Sequence, residues 1–215
     1  MTAYGGAAQI AFEEFLDGRV TMADVYDIVL EGMDEAVYKE IAKALKAYVD
    51  VMIAANDVTP GTYMNVAKVA GFDQAAMDKL LMIADVYGKA AIYCTYEFAA
   101  KIVPETNWIS DDLRNRRWNY GYLGTYKGHQ VIVLPQSFTD DTNKVKVIDP
   151  SYAWIIPAGS EKPVKVAFEG TAHVKEVDGD DWSKTIHTYQ KFGVAVYSVN
   201  PGFCAYKDTQ LSINM

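Results

Sequence analysis

The longest regular pattern in the chain is TMADVYDIVLEGMDEAVYKEIAKALKAYVDVMIAAN, residues 21–56. Apolar side chains recur there every three or four positions, which predicts an α-helix with a single apolar face. These side chains belong to Met22, Val25, Val29, Met33, Val37, Ile41, Leu45, Val49 and Met52. On the polar face, acidic residues precede lysines, an order that the helix dipole favours. An unbroken helix of this size would be about 50 Å long at ~1.5 Å per residue, and we expect the fold to be organised on it.

Residues at both ends of this pattern are suited to begin and to end a helix. Thr21 can cap the first turn, and Asp24, three residues later, forms a weak capping box with it. Asn56, followed by Pro60-Gly61, provides the stop. Gly32 costs about 1 kcal/mol relative to alanine inside a helix, so it could divide the segment into two ordinary helices. We predict one long helix or two nearly collinear ones.

The rest of the chain changes from helical to extended patterns near residue 118. Shorter helices are predicted at 7–16, 72–88, 97–103 and 110–118, and a buried strand at 92–96. Two β-prone runs around Lys127-Gly128 predict a hairpin, because glycine supplies the positive φ that a tight turn needs. Further strands are predicted at 144–148, 153–156, 164–168, 172–177, 185–189 and 194–199, with a turn at Glu169-Gly170 among those that separate them. Helices followed by strands indicate an α+β fold.

Composition limits the class of protein. Of the 215 residues, 50% are hydrophobic and the net charge is −8, so the chain can bury a core in one domain or two intimate subdomains. An acidic chain is poorly suited to general nucleic-acid binding, and no apolar run reaches the ~18 residues of a membrane span. The one arginine cluster is Arg114-Asn115-Arg116-Arg117, followed by Trp118. It could hold an anion or an acidic neighbour, or it could be a solvated helix face.

Chemistry-bearing residues do not form a recognisable catalytic, cofactor or metal site in the sequence. Cys94 and Cys204 lie among apolar neighbours and are predicted to be buried free thiols. His129, His173 and His187 are predicted on separate strands, which is not the spacing of a zinc site. Asp178-Gly179-Asp180-Asp181 is typical of an ordinary turn rather than of a calcium loop. We therefore predict no enzyme activity, no cofactor and no metal, and the 15 tyrosines indicate contact surface instead.

Several passages together resemble the major capsid proteins of tailed bacteriophages, which have the Hong Kong 97-type fold. The passages are the long helix, the Gly/Tyr-rich hairpin at 120–128, the strand that ends in Leu134-Pro135-Gln136-Ser137-Phe138, the run 153–157 with 162–166 and 169–170 behind it, and the ending at 189–196 and 200–206. The resemblance covers most of the chain from Gly18 onward, and it consists of helix length, glycines and aromatic residues.

This resemblance implies a division into two domains and a role in a virion. Residues 1–57 with 180–215 would form a peripheral domain on the spine helix, and 58–179 an axial domain. Copies would assemble into pentamers and hexamers of an icosahedral shell around double-stranded DNA, in the host cytoplasm. The resemblance also implies scaffold, portal and decoration proteins as further partners. It implies no sequence-specific binding of nucleic acid and no binding to a membrane.

One departure from the family concerns the N-terminus. The family carries an extended arm and a long β-hairpin loop before the spine helix, whereas only residues 1–20 precede Thr21 here. The chain is therefore either a truncated piece or a reduced variant. We favour truncation, because a helix at 7–16 would begin almost at Met1.

Candidate subunit-interface residues are taken from the hairpin tip and from one aromatic strand. They are Tyr126, Lys127, Gly128, Tyr152 and Trp154. Two other functions remain open on sequence alone. The first is an encapsulin-like shell, which shares the fold and encloses enzymes. The second is a carbohydrate- or small-ligand-binding α+β protein that uses Trp108, Trp118, Trp154 and Trp182 as a stacking platform.

Overall fold

The computed structural model describes residues 1–103, 110–139, 142–159, 162–179, 183–197 and 202–214. The chain forms two compact units. Unit 1 consists of Met1–Ala44 and Val164–Val196, and unit 2 of Leu45–Pro163 and Tyr197–Met215. These bounds differ from those of the two predicted domains, whose peripheral and axial roles stay predictions.

Helices and strands alternate along most of the chain. The helices are α1 (Phe12–Leu16), α2 (Met22–Val58), α3 (Gln74–Asp85), α4 (Tyr96–Lys101) and α5 (Asp111–Tyr120). The strands are β1 (Thr2–Ile10), β2 (Val66–Val69), β3 (Ala90–Cys94), β4 (Thr125–Tyr126), β5 (His129–Val133), β6 (Tyr152–Pro157), β7 (Val164–Asp178), β8 (Lys184–Val196) and β9 (Cys204–Asp208). The predicted α+β class with a long helix is confirmed.

Helix α2 is a single helix of 37 residues, and the unit boundary falls within it. Its start has the predicted capping box: the Thr21 Oγ1 accepts from the Asp24 N–H at 3.3 Å, and the Asp24 carboxylate accepts from the Thr21 N–H at 2.8 Å. Gly32 does not interrupt the helix, so the two-helix alternative is wrong. The continuous apolar face outweighs the propensity cost of one glycine.

Unit 1 contains an antiparallel sheet in the order β1-β8-β7. The predicted helix at 7–16 is wrong for residues 7–10, which belong to β1 and pair with β8 in the register Ala7↔His187. Only α1 is helical there, because pairing with a strand distant in sequence overrides local preference. Strand β7 is also continuous where a turn was predicted at Glu169-Gly170, and the structure has a β-bulge between Glu169 and His173 instead.

The core of unit 1 is small among the described residues. Ile10, Val25 and Ile186 form a buried cluster, with Tyr26 packed against it. Nearby, the ring of Phe192 stacks on the ring of Tyr4 at 4.2 Å.

Unit 2 contains a mixed sheet in the order β2-β9-β6-β3-β5-β4. Helices α3 and α4 contribute buried side chains to its core, among them Met77, Leu80 and Phe98. Strand β2 was not predicted. The strand predicted at 144–148 is wrong, because residues there make only isolated bridges, Phe138↔Lys146 and Val145↔Asn214.

Side chains cap the N-termini of two helices of unit 2. Asp73 accepts a hydrogen bond from the Ala75 N–H at 3.0 Å and caps α3. Ser110 accepts from the Leu113 N–H at 3.4 Å and caps α5. Helix α5 ends at Gly121, whose φ is 78°; a Cβ added there would lie 2.0 Å from the Tyr96 hydroxyl oxygen. Only glycine fits this position, because the positive φ and the close contact both exclude a side chain.

Candidate subunit-interface surface

The predicted hairpin tip exists, and its tyrosine faces inward. Lys127 and Gly128 have φ of 47° and 87°, the positive values of a two-residue turn between β4 and β5. The Tyr126 hydroxyl donates to the Asp78 carboxylate at 2.9 Å, and Lys127 forms an ion pair with the same carboxylate. Burial raises the pKa of Tyr126, and the hydrogen bond to Asp78 raises it further. The tip is therefore anchored to α3, and only Lys127 and Gly128 present exposed surface.

Strand β6 buries the two other predicted interface aromatics. Tyr152 and Trp154 are both buried, and their rings lie nearly parallel with centroids 6.4 Å apart. The Tyr152 hydroxyl donates to Asp50, and the ammonium of Lys207 lies 4.8 Å from the Tyr152 ring centroid. A side chain without exposed surface cannot touch a neighbouring subunit in this conformation. A role of Tyr152 and Trp154 in subunit contact stays a prediction, in which they would support the surface rather than form it.

Charged groups surround Tyr152 and join α2 to the sheet within unit 2. Lys207 donates to Asp50 at 2.8 Å, and Lys46 donates to Asp149 at 2.6 Å. Burial alone would raise the pKa of Asp50, but hydrogen bonds from Lys207 and Tyr152 outweigh it and hold the pKa below its ordinary value. Burial would likewise raise the pKa of Asp149, but hydrogen bonds from Lys46 and Ser151 outweigh it and lower the pKa. Both carboxylates thus favour the folded state in their charged form.

A buried carboxylate anchors the C-terminal strand of unit 2. Asp208 is buried at the end of β9 and accepts from the Gly71 and Gln210 N–H groups, each at 2.8 Å. The ammonium of Lys101 completes the arrangement at 3.0 Å. These partners outweigh burial and lower the pKa of Asp208.

Helix α5 carries the predicted arginine cluster on an open surface. Arg117 turns back to donate to the Ala100 carbonyl at 3.3 Å, whereas Arg114 and Arg116 are exposed. Trp118 is 90% exposed and Tyr120 is 70% exposed. Sequence reasoning did not assign α5 to an interface. The sequence feature that could have indicated an interface is Trp118, an aromatic residue in a helix that has no apolar stripe to bury it.

The cysteines and the histidines are the remaining residues that the sequence offered for chemistry. Cys94 and Cys204 are free and buried as predicted, and burial raises the pKa of each thiol to about 12. The ring of His129 contacts the Ala90 carbonyl at 3.0 Å. Within the described ranges, no group of three His, Cys, Asp or Glu side chains is arranged as metal ligands would be. Asp180, Asp181, Trp108 and Trp182 lie outside the described residues.

The chain, with a 37-residue helix, an antiparallel sheet in unit 1 and a mixed sheet in unit 2, has the fold of capsid proteins of the Hong Kong 97 type. Solved structures share this fold with the chain but have little sequence in common with it. The head of Helicobacter pylori bacteriophage KHP40 matches with a TM-score of 0.59 and 13% identity, over 97% of this chain and 75% of that chain. The capsid of cyanophage P-SCSP1u matches with a TM-score of 0.59 and 11% identity, over 99% of this chain and 72% of that chain. The SrpI encapsulin complex from Synechococcus elongatus PCC 7942 matches with a TM-score of 0.58 and 12% identity, over 100% of this chain and 75% of that chain.

The family model described as "SPbeta prophage-derived putative capsid protein YonB" matches residues 6–201, and the chain belongs to this family. No curated protein sequence matches it. Among the described residues, no helix combines the length and the apolar character that crossing a bilayer requires. Membership of a capsid family gives the chain a structural role in a bacteriophage or prophage particle.

Proposed function

We propose that this chain is a major capsid protein whose copies self-assemble into the pentamers and hexamers of an icosahedral shell that encloses double-stranded DNA. The observation that carries this proposal is the family match over residues 6–201. The fold shared with the KHP40 head and the cyanophage capsid supports it over almost the whole chain. In this role the chain assembles in the host cytoplasm, remains in the virion, and catalyses no reaction.

The two units take different positions in the proposed shell. Unit 1 is the peripheral domain, because it contains the N-terminal part of the spine helix α2 and a long-stranded sheet. Unit 2 is the axial domain, since it has a large core of its own and the Lys127-Gly128 tip. The net charge of −8 suits a container for DNA, because an acidic wall does not hold phosphates tightly.

The test is expression of the whole chain, followed by negative-stain electron microscopy and light scattering of the purified product. Closed shells, or rings of five and six subunits, are expected. A monomer at every concentration and salt condition would contradict the proposal. A Lys127→Glu variant examines the predicted tip contact, and Lys68→Glu, which makes the same charge change at a similarly exposed lysine paired with an aspartate, is the matched control on unit 2. Normal capsomers from the tip variant would remove the tip from the interface without affecting the proposed function.

An encapsulin-like shell is the second candidate, because the SrpI encapsulin matches over the whole length of this chain. The contents of purified shells separate the two candidates. Nuclease-protected DNA supports the phage role, whereas a co-purifying enzyme inside DNA-free shells supports the encapsulin role. Scaffold, portal and decoration proteins are proposed partners, and co-expression with each would change shell size, vertex structure or surface mass.

A further inference from the structure

Helix α5 is a surface element without a core of its own. Its ten residues are all exposed or half-buried, and its longest aromatic side chain, Trp118, is 90% exposed. A helix shorter than about 12 residues is marginal in water unless something packs against it. Caps at Ser110 and Gly121 fix the two ends of α5, but they do not cover its outer face. An exposed tryptophan on such a helix is typical of a surface that a partner covers.

The outer face of α5 combines positive charge with aromatic area. Arg114 and Trp118 are four residues apart and lie along one side of the helix, which is the outer face meant here. Arg116 and Tyr120 lie along another side, about 160° away around the helix axis. The arginines form ion pairs only within the helix among the described residues, with Asp111 at 3.6 Å and with Asp112 at 3.2 Å. These pairs are solvent-exposed and weak, so both guanidinium groups can turn to a stronger acidic partner.

A matching face occurs on the N-terminal part of α2. Ile28 is 60% exposed and Leu30 is 57% exposed, and acidic residues flank them. These are Asp27, Glu31 and Asp34, for which no ion pair is found in the part of the chain that the structure describes. Asp27 and Glu31 are four residues apart, a spacing at which like charges destabilise a helix. This face therefore has apolar area and a charge that a cationic, aromatic surface would complement.

We infer that the outer face of α5 in one copy docks on the Asp27–Asp34 face of α2 in a second copy of this chain. This inference rests on the proposed function, because it requires the chain to self-associate. Arg114 meets the carboxylates of Asp27 and Glu31, and Trp118 covers Ile28, which lies beside these two carboxylates on the same side of α2. The two faces differ, so the contact is heterologous. Repetition of a heterologous contact produces a ring when the rotation closes, as in a pentamer or hexamer.

Charge reversal tests the contact directly. An Arg114→Glu variant and a Glu31→Lys variant should each raise the concentration needed for self-association by about tenfold. The chain with both changes should recover association to within about threefold, because the reversed charges again attract. Arg116→Glu is the matched control for Arg114→Glu, since it makes the same change in net charge at an exposed position on another side of α5. Circular dichroism and thermal unfolding confirm that each variant is folded.

Disulfide trapping gives an answer that does not require shells. One preparation carries Asn115→Cys on α5 and another carries Ile28→Cys on α2; both native thiols are buried. After mixing and mild oxidation, a covalent dimer containing one chain of each kind is expected. Met82→Cys replaces Asn115→Cys in the matched control, because Met82 is also exposed and lies on α3.

The outcomes separate this inference from the proposed function. Shells without charge-swap recovery and without the mixed disulfide would overturn the α5–α2 contact and leave the capsid role intact. A mixed disulfide without shells would support the contact and contradict shell assembly by this chain. Loss of co-purifying nucleic acid in the Arg114→Glu variant, with normal self-association, would also overturn the inference, since α5 would then bind nucleic acid.

Discussion

Strands β6 and β7 show how differently the two units are stabilised. In unit 2, β6 is buried along nearly its whole length and pairs with β3 and β9 on its two sides. In unit 1, β7 is an edge strand whose residues are exposed from Ala167 to Asp178. Unit 2 thus obtains its stability from its own core. Unit 1 leaves much of a sheet uncovered, an arrangement suited to a surface that neighbouring molecules cover.

The largest effect is expected from the core of unit 2. Phe98 is buried on α4 and packs edge-on against Tyr206 with ring centroids 5.5 Å apart. Phe98→Ala should lower the free energy of unfolding by about 3 to 5 kcal/mol, because it removes a large apolar side chain and leaves a cavity. Urea unfolding measures the loss, and hydrogen exchange should locate it in unit 2. Met82→Ala, at an exposed position of α3, is the control, and a loss equal to that of Phe98→Ala would contradict the prediction.

A smaller effect is expected from the core of unit 1. Ile186 is fully buried on β8 beside Ile10 and Val25. Ile186→Ala should lower the free energy of unfolding by about 2 to 3 kcal/mol. This is near the lower end for such a change, since a small cluster can collapse around the missing atoms. Hydrogen exchange should show faster opening in β1 and β8 and unchanged protection in β3 and β6. Val174→Ala on exposed β7 is the control, and equal loss of protection in both units would show that they unfold together.

Acid should destabilise unit 2 more than unit 1. The folded-state pKa values of Asp50, Asp149 and Asp208 are lowered, so their stabilisation is complete above the ordinary value of 3.8 and is lost as the pH falls through the lower folded values. Asp149→Asn should cost about 2 kcal/mol at pH 7, because Lys46 and Ser151 lose a charged partner.

Urea unfolding at pH 7, 5, 4 and 3 measures this dependence. The variant should show a shallower decline below pH 4 than the parent chain. Asp17→Asn, at an exposed position of unit 1, is the control and should follow the parent. An identical decline in Asp149→Asn and the parent would contradict the assigned role of Asp149.

The smallest expected change is a stabilisation. Gly32 lies inside α2, and a Cβ added there would meet no atom within 4 Å. Gly32→Ala should therefore raise the free energy of unfolding by about 0.5 to 1 kcal/mol, by reducing the backbone freedom of the unfolded chain. Gly121→Ala should act in the opposite direction, since its φ is positive and Tyr96 occupies the space. Thermal unfolding of the two variants compares them, and destabilisation by Gly32→Ala would indicate a contact on that face of α2.

The parts of the fold that are predictable from sequence are those with local causes. Helix α2 follows from its apolar period and from the Thr21–Asp24 cap, and the hairpin follows from Lys127-Gly128. Strand β1 could not be predicted, because an Ala- and Gly-rich segment acquires its structure from β8, far along the chain. Glu169-Gly170 predicted a turn, but β7 continues through these residues because it pairs with β8 on both sides of them. The glycine lies where the register shifts, in a β-bulge of β7.

The candidate interface was harder to predict than the fold. Aromatic residues on a strand are equally consistent with a core and with a contact surface, and the structure buries Tyr126, Tyr152 and Trp154. From sequence alone, the arginine cluster of α5 could be a solvated face or a site for an acidic partner. The exposure of Trp118 favours the partner site, and it is visible only in the structure. Burial depends on tertiary packing, which neither residue type nor spacing specifies.

The close approach of Gly121 to Tyr96 restricts how these two positions can evolve. A larger residue at 121 requires a shorter one at 96 and a different route for the chain after α5. Distant members of the family should therefore covary at these two positions, and a homologue that lacks glycine at 121 should also lack tyrosine at 96. Such a pair offers a point for aligning sequences in which overall identity has fallen too low to guide the comparison.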